Sequence, residues 1–337
     1  MNLSSTPHST DSENCLQASL TAQKLRAALS SVIRGRQDTI DLVLTALFAD
    51  GHVLLEDYPG SGKTLLTKTL GRLIADHTQE ANHHILPFRR IQFTPDMLPG
   101  DILGVNIFDA KSGTFRFIHG PVFAHVVLAD ELNRTGPKVQ AAFLECMAEK
   151  QVTIDNVTYP LDDLFFVVGT QNPLDLAGTY PLPLVQLDRF LLRIPMSYVD
   201  ADTENEILLE HTAIMKNAAT LEPVVSRHEV LDAQRESNSI HISDAIRETI
   251  VAIVQSTRNS SIFQFGLSTR AALMFQRALR SWAVVQGRTF VDEDDLKTIA
   301  PHVLIHRMRF QGGVRDTRGV FDEFLAPHID TLVQRKA

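Results

Sequence analysis

Several protein classes are excluded by what this sequence has little of. Of its 337 residues only two are cysteine, Cys15 and Cys146, far apart and in no metal-like spacing. A disulfide framework is therefore excluded, and a reducing compartment fits. There is no basic surplus. The formal net charge is -8, whereas a protein whose business is the phosphate backbone carries an excess of Lys and Arg. No nucleic-acid partner is expected, although a local basic patch is compatible with that balance. No apolar run is long enough to cross a bilayer, so no membrane span is expected. Met1 to Glu13, rich in Ser and Thr, has neither the basic start nor the apolar centre of a signal peptide. The chain is expected to be cytoplasmic, with residues 1–19 as a flexible tail. No internal repeat is found, and no low-complexity tract outside that tail.

What is present is ordinary globular composition, 44% hydrophobic and 21% charged. The length allows two domains with cores, or one large core and an appendage. From Arg36 to Phe48, Ile40, Val43, Leu44, Leu47 and Phe48 share one helical face. The apolar run His52 to Glu56, the break at Pro59-Gly60-Ser61-Gly62 and the helical pattern from Thr64 to Ile74 read as strand, glycine-rich turn, helix. His125 to Ala129 and Leu164 to Gly169 have the continuous hydrophobicity of strands buried on both faces. Helical patterns between them predict a parallel sheet covered by helices. Two alternating runs, Gly104 to Phe108 and Thr114 to Phe117, flank a turn at Lys111-Ser112-Gly113 and predict an inserted β-hairpin. Beyond about Asp200 the strand signals stop. The clearest late helix puts Ala271, Met274, Phe275, Ala278, Leu279 and Trp282 on one face. The expected fold class is α/β: an αβα P-loop domain with a parallel sheet over residues 20–200, its hairpin near 104–117, then an all-α lid over residues 201–337.

The strongest chemical signal is Pro59-Gly60-Ser61-Gly62-Lys63-Thr64. Glycines let backbone N–H groups turn inward around phosphate oxygens, and the helix that follows aims its positive end at them. Lys63 would reach the β- and γ-phosphates of ATP, and the Thr64 hydroxyl would ligate Mg²⁺. One departure is visible, Asp57 where the full pattern has glycine. Asp tolerates unusual backbone angles, so the loop can still form. Val126 to Ala129 leads into Asp130 and Glu131, which sets an acidic pair at a strand end. Such a pair alone is ambiguous. Beside a P-loop, Asp130 is suited to help hold Mg²⁺ and Glu131 to polarise the attacking water. A third strand ends in Gln171-Asn172-Pro173, where a polar side chain can meet the γ-phosphate or position water. Arg189 and Arg270 are candidates of lower specificity, since isolated arginines usually make surface salt bridges.

Together these features resemble an AAA+ ATPase, and the local wording is narrower. Arg90 to Asp96, Phe115-Arg116-Phe117, Gly120 to Phe123, Asp130 to Arg134, Gly178 to Pro183 and Gln186 to Phe190 are similar to the MoxR family. The match runs from about Val32 to Met308. The resemblance implies that Asn172 is sensor 1, Arg189 an arginine finger serving a neighbouring subunit, and Arg270 sensor 2. It also implies that Val32 to Arg36 lines the adenine. Expected cofactor-binding residues are thus Gly35, Pro59, Gly60, Ser61, Gly62, Lys63, Thr64 and Leu65, with Thr64 and Asp130 for the metal and Glu131, Asn172, Arg189 and Arg270 for catalysis. Two departures are Thr269, where the family often has Pro, and Arg36, where Gln is frequent. The implied activity is Mg²⁺-dependent ATP hydrolysis coupled to remodelling, assembly or activation of proteins. The implied form is a homo-oligomer, a hexameric ring, with a von Willebrand factor A domain protein as a partner. A nucleic-acid-linked motor and a non-hydrolysing scaffold are the alternative classes. The acidic charge stands against the first and Glu131 against the second. His302 and His306 have a metal-compatible spacing but no nearby acid, so packing or surface roles are expected. His83 and His84 are expected in a solvated loop. Arg116 on the hairpin can touch a partner or face water.

Overall fold

The computed structural model describes residues 10–57, 60–75, 84–171 and 178–334. The first element is α1 (Thr10–Ser30), so the segment expected as a flexible tail becomes helical well before residue 19. Ala18, Ala22, Leu25 and Leu29 are buried in it, an i, i+4, i+7, i+11 stripe that the polar composition just upstream conceals. Next come α2 (Gln37–Phe48), β1 (Val53–Asp57), α3 (Lys63–Leu73), β2 (Ile74–Ala75) and β3 (Leu86–Gln92). They are followed by α4 (Pro99–Leu103), β4 (Gly104–Asp109), β5 (Thr114–His119), β6 (Ala124–Asp130) and α5 (Pro137–Glu149). A second hairpin, β7 (Gln151–Ile154) with β8 (Val157–Pro160), precedes β9 (Phe166–Gln171), α6 (Leu184–Leu187), β10 (Leu192–Met196), α7 (Ala201–Thr220) and β11 (Val225–Ser226). Contacts divide the chain into two compact units. One comprises Leu25–Val43 and Asp50–Arg227; the other takes the residues up to Lys24, Leu44–Ala49 and His228 onward.

The first unit is built on a five-stranded sheet in the order β10-β1-β9-β6-β3, with every pairing parallel. All seven residues of β6 are buried, which explains the unbroken apolar run seen in the sequence. Parallel pairing brings the carboxyl ends of all five strands to one edge, the usual place for a ligand in such sheets. Phe93 and Phe143 meet edge to face at 5.3 Å in the core. Phe190 packs so closely on β9 that a Cβ at Gly169 would lie 2.8 Å from its ring. The hairpin of β4 and β5 pairs from Gly104↔His119 to Asp109↔Thr114, two residues longer than its sequence pattern suggested.

The division between units falls later than residue 200. Asp200 is the N-cap of α7, its side chain accepting from the Thr203 N–H, so the polar stretch there marks a helix start rather than a domain boundary. Residues up to Arg227 stay with the first unit, where Val225 pairs in parallel with Ile74 in a separate two-stranded sheet.

The second unit contains α8 (Arg227–Ser239) from its second residue, α9 (Asp244–Asn259), β12 (Phe263–Phe265), α10 (Thr269–Val285), α11 (Glu293–Leu304), β13 (Arg309–Phe310) and α12 (Thr317–Gln334). In α10, Ala271, Phe275, Ala278 and Leu279 are buried, while Met274 and Trp282 are half-buried. β12 and β13 form a short antiparallel pair, a small exception to the all-helical reading. His306 is buried, with its Nε2 2.7 Å from an Arg307 guanidinium nitrogen.

Candidate nucleotide site

The loop after β1 carries the local geometry that a phosphate chain requires. Gly60 and Gly62 both have φ of +90°, a conformation that side chains strain to adopt. Open space surrounds the point where a Cβ would stand on either residue. Gly62 is also the N-cap of α3, whose first turn holds no acid, so the helix's positive end is not neutralised from within. The Ser61 hydroxyl is buried without a hydrogen-bond partner. An orphaned donor, a glycine cradle and a bare helix start fit an anionic phosphate group. Lys63 and Thr64 are the first two residues of α3. Pro59 lies outside the described residues.

The cavity beside this loop has a volume of about 390 Å³. Gly60, Ser61, Gly62 and Leu65 form one side, and Val32, Ile33, Arg34 and Arg36 another. Gly35 is not in its wall. Its φ of +65° turns the segment, and its Cα faces Thr203 so closely that a Cβ would come within 2.5 Å of that side chain. The third side was missed in the sequence: it is α7, through Ile207, His211, Ile214 and Met215. Their i, i+4, i+7, i+8 spacing is a helical stripe, legible in principle. Arg34 ties the two apolar walls together through Glu206 at 3.3 Å and Glu210 at 3.0 Å.

At the sheet's carboxyl edge, Asp130 is 5% exposed. The Thr170 hydroxyl donates to its Oδ1 at 2.7 Å. Arg90 donates to its Oδ2 from Nη2 at 2.7 Å and from Nε at 3.2 Å. Glu131 closes the strand with φ of +57°, a left-handed conformation uncommon outside glycine. Its backbone N–H donates to Thr170 Oγ1 at 2.9 Å. Its carboxylate accepts from Gln92 Nε2 at 2.8 Å and pairs with Arg134 at 3.2 Å. The oxygen donors Thr64 and Asp130 suit a hard cation such as magnesium. On the other face of the sheet, Gln171 donates to Glu56, which Arg193 also binds. β9 is thus held through Thr170 on one face and Gln171 on the other, just before Asn172, which lies outside the described residues.

Arg189 follows α6 and donates to the Val185 carbonyl at 3.2 Å. Its Nε is buried with no hydrogen-bond partner. With Gln186, Glu145 and Glu149 it lines a cavity of about 550 Å³. Arg270 is exposed in the first turn of α10 in the second unit, behind Ser268, which caps the helix by accepting from Ala271. Arg116 is exposed on β5. His83 lies outside the described residues. His84 is exposed and stacks on His119 at 4.2 Å. Burial, and then the charge of His84, holds the His119 imidazole below its usual range. Burial pushes the Cys146 thiol far up, which suits packing rather than chemistry. Among the described residues no cluster of three His, Cys, Asp or Glu side chains is arranged to hold a metal, and no helix is long and apolar enough to cross a membrane.

Comparison with known proteins finds two family profiles along the chain. The profile of the ATPase family associated with various cellular activities (AAA) matches residues 52–192. That of the AAA lid domain matches residues 255–323. Chaperone MoxR1 of Mycobacterium tuberculosis is 36% identical, over 82% of this chain and 72% of the relative. The uncharacterised protein YeaC of Bacillus subtilis is 43% identical, over 83% and 84%. A crystal structure of a candidate ATPase from Cytophaga hutchinsonii superposes with a TM-score of 0.82 at 36% identity, covering 94% of this chain and 96% of that one.

Proposed function

We propose that this chain, which belongs to the MoxR family of AAA+ ATPases, binds MgATP at the loop after β1, hydrolyses it, and couples turnover to the remodelling, assembly or activation of partner proteins. The observation that carries the reading is the pairing of an anion cradle at Gly60–Gly62 with two acids at the adjoining sheet edge. Lys63 and the backbone around Ser61 would bind the phosphates, and the apolar walls from Val32, Ile33 and α7 would hold the base. Thr64 and Asp130 would hold magnesium, which supplies charge neutralisation across the β- and γ-phosphates. Glu131 would orient and polarise the attacking water. Gln92 and Arg134 fix where its carboxylate points before that happens.

The finer assignments rest on the family. Asn172 would act as sensor 1, Arg270 as sensor 2, and Arg189 as an arginine finger acting across a homo-oligomeric ring, a hexamer. The protein client is of unspecified identity, with a von Willebrand factor A domain protein as the family suggests; the name of the chaperone relative supports such a role. Cytoplasmic localisation belongs to the same reading. Glu131→Gln tests the chemistry. It keeps size and hydrogen bonding but removes the base-like carboxylate, so ATP should still bind while turnover falls by roughly 10²–10⁴-fold. Unchanged turnover in a coupled phosphate-release assay would assign the water to another residue.

A further inference from the structure

The acid suited to magnesium already holds a cation. Asp130 is buried, with its side chain 8% exposed, whereas the Arg90 side chain that binds it is 48% exposed. Both Arg90 contacts fall on one oxygen, Oδ2, and the Thr170 hydroxyl takes the other. The contact follows from strand register. β3 and β6 pair Arg90 with Leu128 and Gln92 with Asp130, and side chains two apart on a strand share a face. The same Arg90 Nη2 donates to Gln92 Oε1 at 2.6 Å. Gln92 Nε2 in turn donates to the Glu131 carboxylate at 2.8 Å. One guanidinium thus touches Asp130 directly and reaches Glu131 through a single amide.

Two cations cannot share a carboxylate oxygen without mutual repulsion, which is stronger near buried groups than in water. The partner able to leave is Arg90, because half of its side chain already meets solvent while Asp130 has no other place to go. We propose that Arg90 is the resting counter-ion of Asp130, that divalent-cation loading displaces its guanidinium, and that the displacement removes its contact with Gln92 Oε1, so that Gln92 loses one of its two anchors while Gln92 Nε2 and Arg134 still hold Glu131. Arg90 is then a positioning residue that couples metal occupancy to the anchoring of Gln92, the amide that contacts the water-orienting acid. The inference rests on the reading of Asp130 as a metal-holding residue.

Titration of Mn²⁺, followed by paramagnetic resonance, tests it on the full chain with and without a non-hydrolysable ATP analogue. Arg90→Met removes the competing charge and should tighten Mn²⁺ binding about tenfold. The same variant leaves a buried carboxylate uncompensated. Its thermal midpoint should therefore fall in chelator and recover on adding Mn²⁺ by more than wild type gains. Arg90→Lys keeps the charge but loses the fork that spans Asp130 and Gln92. It should bind Mn²⁺ about threefold tighter, and it carries the test if the Met variant does not fold. Unchanged or weaker Mn²⁺ binding, while Asp130→Asn abolishes it, would overturn the counter-ion role and leave the metal site standing. Analogue-bound Mn²⁺ affinity that is indifferent to Asp130→Asn would remove the metal-site reading, and this inference with it.

Discussion

Ser61 offers a buried hydroxyl with no protein partner, and Gly60 and Gly62 hold backbone angles that only glycine adopts without strain. Such geometry fits an anionic group, and in the proposed site Lys63, the first residue of α3, would meet it. Lys63→Ala should therefore weaken ATP binding by tenfold or more, roughly the worth of one charge-assisted contact. Calorimetry giving near wild-type affinity would contradict the phosphate-loop assignment. At this scale the sequence was most informative where chemistry is local. Glycine, lysine and threonine stand in consecutive positions, and the two acids end an apolar run, so the pattern is visible without any pairing. The contacts of Arg90 with Asp130, and of Gln92 with Glu131, were not visible. They join residues about forty positions apart through the register of β3 against β6, and a single sequence carries no register.

At the scale of elements, the apolar runs translated directly into β6 and β9, and the alternating runs around Gly113 into the hairpin of β4 and β5. Less was legible where an element's start resembles a boundary. The boundary expected between residues 200 and 201 falls at Asp200, which is the cap of α7, and the Ser/Thr-rich start obscured the apolar stripe of α1. The consequence for the site is specific, because α7 forms the third wall of the cavity. Arg34 fastens that wall through Glu206 and Glu210, all three groups being partly exposed. Exposed ion pairs contribute about 0–1 kcal/mol each. Arg34→Ala should accordingly raise the ATP dissociation constant by roughly two- to fivefold, with single-turnover hydrolysis of bound ATP little changed. A loss of the hydrolytic step at saturating ATP would mean that Arg34 does more than seat α7.

For the whole molecule, the question is whether one chain carries a complete catalytic site. Arg189 has a buried Nε without a partner and lines a cavity with Glu145 and Glu149, a guanidinium whose donors its own chain does not exhaust. In the proposed ring it would stabilise charge developing on a neighbour's γ-phosphate, a role in which arginines supplied in trans contribute roughly 10³–10⁵ in rate. Arg189→Ala should then bind ATP normally yet hydrolyse it poorly. Lys63→Ala is the complementary defect, with an impaired site and an intact finger. The decisive measurement is steady-state ATP turnover of the two variants mixed after subunit exchange has been demonstrated. Partial recovery is predicted, since some interfaces then pair a working site with a working arginine. A mixture no more active than its separate components, despite exchange, would contradict a shared-site ATPase.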